Sequence, residues 1–124
     1  MSSIKNIFIK DAYNNLLASG AITDIKISNF KISLSFITSF SNANSIEDNI
    51  YPGKYKKLDL LFERPYYIDT TYNSGNTLKI GISGVCSDIW NGGDLIIDSY
   101  EKTPIGRPAS QAIVSLTGYE YIPL

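Results

Sequence analysis

Between residues 29 and 40 the chain alternates, with Phe30, Ile32, Leu34, Phe36 and Phe40 on one parity and Lys31, Ser33, Ser35 and Ser39 on the other. A period of two sends the two sets to opposite faces, which predicts a strand with one face buried. Upstream, Ile25 and Ile27 have the opposite parity, and a β-bulge or tight bend at Ser28-Asn29 would return both sets to one side. Residues 4–9 are rich in β-branched side chains and predict another strand. The next run differs: Tyr13, Leu16 and Leu17 share a helical face, Asp11 suits an N-cap and Gly20 suits the position after the last turn. These positions predict a short N-terminal helix, which must pack on something else to persist.

Residues 41–57 are polar and end in the turn signal Tyr51-Pro52-Gly53, so a long surface loop is expected there. Leu58, Leu60 and Phe62 predict a strand that Arg64-Pro65 ends, because proline cannot donate to a ladder. Residues 66–72 and 77–85 flank Asn73-Ser74-Gly75-Asn76 and predict a hairpin. In its second arm Leu78, Ile80 and Ile82 point one way, while Lys79, Gly81 and Ser83 leave the opposite face bare enough for a neighbouring chain, a ligand or a large aromatic to approach. A turn over residues 88–94 leads into a strand at 95–100, and Pro104, Gly106 and Pro108 punctuate a further loop. The last strand, 112–122, changes parity near Gly118, which suggests a second bulge. Six to eight short strands and one small helix describe a mainly β protein, an antiparallel β-sandwich or open barrel with one short N-terminal helix. The alternative is an α+β domain with the helix packed on one sheet.

Composition narrows the function more than the fold. The 124 residues are 44% hydrophobic and 19% charged, as expected of one folded domain spanning 1–124. A net charge of -1 offers no long-range field for nucleic acid or anionic lipid, so neither is an expected partner. The opening Met-Ser-Ser-Ile-Lys lacks the apolar core of a secretory signal, and no apolar run is long enough to span a bilayer. A soluble protein made without a signal peptide is therefore expected. Histidine is absent and Cys86 is the lone thiol, which removes Ser-His-Asp triads, Cys-His pairs and His-ligated metals. Cys86 itself reads as a small buried residue. The acids Asp59, Glu63, Asp69, Asp88, Asp94 and Asp98 show no spacing that pairs two of them for general acid-base work. No enzyme activity and no cofactor are expected.

Two groups of residues remain as candidate sites. Trp90 lies among Asp88, Asn91 and Asp94, so an exposed indole there would stack on a sugar while the polar groups bind its hydroxyls. The same oxygens lack the close spacing and distal glutamate of a calcium loop, and no metal is expected. Against the sugar site stands a plainer role, with Trp90 plugging one end of the fold. The second group is tyrosine, nine in all, of which Tyr51, Tyr55, Tyr119 and Tyr121 are candidates for a protein interface. Tyrosine also suits strands for its β propensity alone. Tyr51 and Tyr55 interleave with Lys54, Lys56 and Lys57, a mixture also found on single-stranded nucleic-acid platforms, but three lysines without arginine on a near-neutral chain fit a surface loop better.

The expected function is that of a non-enzymatic structural or adaptor subunit, for example a small phage head or tail component associated with the virion. It would bind sister or heterologous subunits through the loops 41–57 and 99–111 and the two tails. A carbohydrate- or receptor-binding module centred on Trp90, with a glycan as partner, is the alternative. A small inhibitor of a host enzyme is a third possibility.

Overall fold

A computed structural model describes residues 5–28, 31–50, 77–84 and 90–120. They form β1 (Asn6–Lys10), β2 (Leu16–Ser28), β3 (Lys31–Ser39), α1 (Phe40–Ile50), β4 (Thr77–Ser83), β5 (Gly92–Ile105) and β6 (Gln111–Glu120). Every strand pairing is antiparallel, and the order β1-β2-β3-β6-β5-β4 closes on itself through β1 and β4. The fold is thus mainly β, but the sheet is a closed barrel rather than a sandwich or an open one. The expected strand at 58–62, the first hairpin arm at 66–72 and Cys86 lie outside the described residues.

Alternation fills the barrel. Ile7 and Ile9, Ile32, Leu34 and Phe36, Leu78 and Ile80, Leu95 and Ile97, and Ala112, Val114 and Leu116 form one buried cluster, joined by Ala18 from β2 and by Ala43, Ile46 and Ile50 from α1. Each Val, Leu or Ile so buried contributes about 1.5–3 kcal/mol against the entropy of ordering the chain.

The parity changes are resolved differently from the sequence expectation. Ser28 pairs with Lys31, so Ile25 and Ile27 belong to one strand and Ile32 to the next, and the parity break is a strand reversal, not a bulge at Ser28-Asn29. A real irregularity lies earlier, between Ile22 and Asp24, where Thr23 is extra. Likewise β6 keeps its register with β3 through Gly118, with Ala112, Val114 and Leu116 buried in unbroken alternation, and the bulge sits opposite in β5, between Ile97 and Ser99. Gly118 is needed for another reason. A Cβ there would lie 2.3 Å from Ile96 O, so the absence of a side chain lets β5 and β6 coil tightly together.

The helix is where a loop was expected, and the expected N-terminal helix is absent. Asp11 does accept backbone amides, but in a turn: its Oδ1 takes Tyr13 N and Asn15 N, both at 2.9 Å, and Asn14 sits at φ 67. Asp11 thus reverses the chain from β1 to β2, and Leu16 and Leu17 enter a strand. At residues 40–50, Ser39 Oγ accepts Asn42 N at 3.2 Å in the manner of an N-cap, and Ala43, Ile46 and Ile50 fall on one helical face. That face closes on the barrel against β2, β3, β5 and β6. Tyr100 donates its hydroxyl to Ala43 O at 2.7 Å, and Lys102 Nζ donates to Asn44 Oδ1 and, at 3.1 Å, to Glu47 Oε1, while lying 4.9 Å from the Phe40 ring centre. An eleven-residue helix rich in Ser and Asn is marginal by itself, so this docking is what maintains it. No helix among the described residues is long and apolar enough to cross a membrane.

Candidate functional site

The outer wall around β1 and β4 carries the most unusual surface of the barrel. Pairing sets Ser19, Phe8, Gly81 and Gly92 side by side in one rung, and Leu16, Lys10, Lys79 and Asp94 in the next outward-facing rung. Phe8 is 40% exposed and Leu16 60% exposed, and Tyr13, in the turn just beyond, is 83% exposed. Only one other large hydrophobic among the described residues, Ile105, is comparably exposed. Beside Phe8 and Leu16 lies a hollow of about 670 Å³, lined by these two and by Lys10, Asn14, Lys79, Ile80, Gly81 and Gly93.

The hollow exists because its floor lacks side chains. A Cβ on Gly81 would meet nothing within 4 Å, so neither packing nor backbone approach requires glycine at that position. The rim is cationic on one side. Lys10 and Lys79 are direct cross-strand partners, a like-charge arrangement that is unfavourable when nothing intervenes. Asp94 answers one of them, with Oδ1 at 3.3 Å and Oδ2 at 3.4 Å from Lys79 Nζ. Among the described residues Lys10 has no ion pair.

Of the residues singled out from the sequence, Trp90, Asn91, Asp94 and Tyr119 are among those described. Trp90 is 4% exposed and belongs to the core cluster, so the stacking face that a sugar site requires is not presented to solvent. Its Nε1 is buried without a hydrogen-bond partner among the described residues, and it lies behind the hollow's wall, 3.9 Å from where a Gly93 Cβ would stand. Asn91 is exposed, and Asp94 is held by Lys79 at the margin of the hollow. Tyr119 is half-buried on the outside of β6, with Lys31 Nζ 6.0 Å from its ring centre. Asp88, Tyr51, Tyr55 and Tyr121 lie outside the described residues. Among the described residues no group of three or more Cys, Asp or Glu is placed to hold a metal ion.

What the sequence did signal was the bare face of β4 at Gly81. It did not signal Phe8, Lys10 or Leu16, because only the β1–β4 pairing brings them beside it. Comparison of the chain with protein-family models, with curated proteins and with solved structures gives no match.

Proposed function

We propose that this protein is a structural or adaptor subunit that works by binding other proteins, and that the β1–β4 wall is one of its contact surfaces. The observation that supports this most is that Phe8 and Leu16, two of the four most exposed large hydrophobics among the described residues, line one concave patch, with a third, Tyr13, in the turn just before Leu16. Exposed apolar patches rimmed by polar groups mark interaction sites more often than scattered hydrophobics do. The absence of histidine, which leaves few groups suited to covalent chemistry near neutral pH, agrees with a role in binding. A small head or tail component of a phage virion is the kind of assembly such a subunit would serve, and Tyr119 would be a second contact.

Affinity capture from the native source, run in parallel with the wild type and a Phe8→Ser/Leu16→Ser variant, tests the reading. A companion retained by the first and lost by the second supports it. A strictly monomeric protein that captures nothing, or a variant that keeps every companion, counts against it.

A further inference from the structure

We propose that the hollow docks an acidic peptide segment of a partner protein, with an apolar side chain lying on Phe8 above the Gly81 floor and a carboxylate reaching between Lys10 and Lys79. This rests on the protein-binding role proposed above and names the chemistry of the partner.

Three features of the hollow lead to it. The first is an unfilled floor. Glycine in a strand interior costs stability, and where Gly118 has a neighbouring carbonyl that forbids a side chain, Gly81 has open space. Its effect is to leave open space beside Phe8, its register partner. The second is charge. Rung by rung the wall reads aromatic against glycine, then lysine against lysine, with Asp94 offsetting Lys79 and nothing among the described residues offsetting Lys10. A carboxylate delivered at that point would relieve the cross-strand repulsion and meet an ammonium group with donors to spare. The third is extent. Leu16 on the hollow's lining and the exposed Tyr13, three residues before it in the chain, add apolar area beyond Phe8 that an extended peptide would cover.

At the hollow β1 is paired on both sides along its length and β4 on both sides over residues 79–81, so the peptide cannot add to either as a strand there, and recognition must come from side chains in the hollow.

The test is a titration of the isotope-labelled full chain, followed by amide NMR, with the acetylated and amidated hexapeptide Gly-Asp-Phe-Glu-Leu-Gly and with its Asn/Gln counterpart. Saturable shifts are expected at the amides of Phe8, Gly81 and Gly93 and at the indole N–H of Trp90. The uncharged peptide should bind about fivefold more weakly, as should the acidic peptide to Lys10→Glu, in keeping with a contact at a partly exposed site. Gly81→Val, which fills the hollow where no neighbour stands within 4 Å, should remain folded and lose binding. Absence of shifts at the hollow, equal affinity for the two peptides, or undiminished binding by Gly81→Val would overturn the proposal. So would the same shifts appearing with protein concentration alone, since a second copy of this chain would then be the occupant. If the peptides fail while Phe8→Ser/Leu16→Ser still loses a native companion, the acidic-segment inference falls and the binding role survives. Loss of both removes the binding role as well.

Discussion

Two glycines that hold the barrel closed and one that does not should respond in opposite directions to the same one-carbon change. In Gly20→Ala the new Cβ would lie 2.0 Å from Ile37 O, and in Gly118→Ala 2.3 Å from Ile96 O and 3.0 Å from Leu95 Cγ. Those oxygens belong to the paired strands β3 and β5 and cannot swing aside as a side chain could, so the strands must part. Overpacking of this sort costs about 1–3 kcal/mol. A lost ladder hydrogen bond adds about 0.5–1.5 kcal/mol, and relief of glycine's unfolded-state entropy returns about 0.5–1 kcal/mol. The net expectation is a loss of roughly 1–3 kcal/mol, a large part of a typical 5–15 kcal/mol. Gly81→Ala meets nothing within 4 Å and should instead gain about 0.5–1 kcal/mol. Urea unfolding followed by circular dichroism reads the difference: with a slope of about 2 kcal/mol per molar, the midpoint should fall by roughly 0.5–1.5 M for the first two variants and rise by roughly 0.25–0.5 M for the third. Three shifts of one sign at constant slope would refute both the account of closure and the claim that the fold has no need of glycine at position 81.

Two further expectations concern the helix and the first turn. Tyr100→Phe removes the 2.7 Å bond that the phenol donates to Ala43 O and should lower stability by about 1 kcal/mol in the same urea assay, and an unchanged midpoint would mean that this bond contributes nothing to holding α1 on the barrel. At Asp11 burial alone would raise the carboxyl pKa, but hydrogen bonds from the Asn15 side chain and from the Asn15 and Tyr13 amides outweigh it and place the group below its ordinary 3.8. A depressed folded-state pKa means that the stabilisation is complete above the unfolded value and is lost as pH falls through the folded one. The amide introduced by Asp11→Asn would keep an acceptor without titrating, so the stability gap between wild type and variant should narrow on acidification below about pH 4, and a widening gap would show the sign to be wrong.

How much of this was legible in the sequence depended on whether a neighbour in sequence or a neighbour in space decided the outcome. The strand at residues 31–39 was legible because one buried face and one exposed face give clean alternation, Ile32, Leu34 and Phe36 against Ser33 and Ser35. Asp11 was recognised as an acceptor for backbone amides, but helix caps and tight turns both use that chemistry, and the sequence could not separate them. At α1 the apolar stripe Ala43, Ile46 and Ile50 was present, yet Ser and Asn around it have low helix propensity, and the barrel's need for a covered face overrode them. Trp90 illustrates the same limit from the other side. Its neighbours Asn91, Gly92 and Gly93 look like an exposed turn, whereas the indole itself reaches the core. Barrel closure was least legible of all, since pairing β1 with β4 joins residues some seventy positions apart, Phe8 with Gly81 among them, and no local pattern encodes it.

Closure also explains why apolar exposure on this protein calls for a functional account. Each strand has a neighbour on both sides of the barrel, and in the rungs of β1 and of the middle of β4 both sides are paired, so outward-facing positions there have no edge to protect and are free to be as polar as solvent favours. The wall formed by β3 and β6 follows that tendency in its middle rungs, where Ser33, Ser35, Ser115 and Thr117 face outward and Ser35 and Ser115 share a 2.9 Å hydrogen bond between their hydroxyls, while the next rung pairs the half-buried Ile37 and Ile113. The β1–β4 wall departs from it, with an aromatic ring, an exposed leucine, a bare glycine and two facing lysines at positions of the same geometric kind. One barrel thus builds both walls from the same alternation, and at Gly81 the departure is one that packing does not require. Contact with another molecule is the physical circumstance in which Phe8 and Leu16 would leave water and Lys10 would gain an opposite charge.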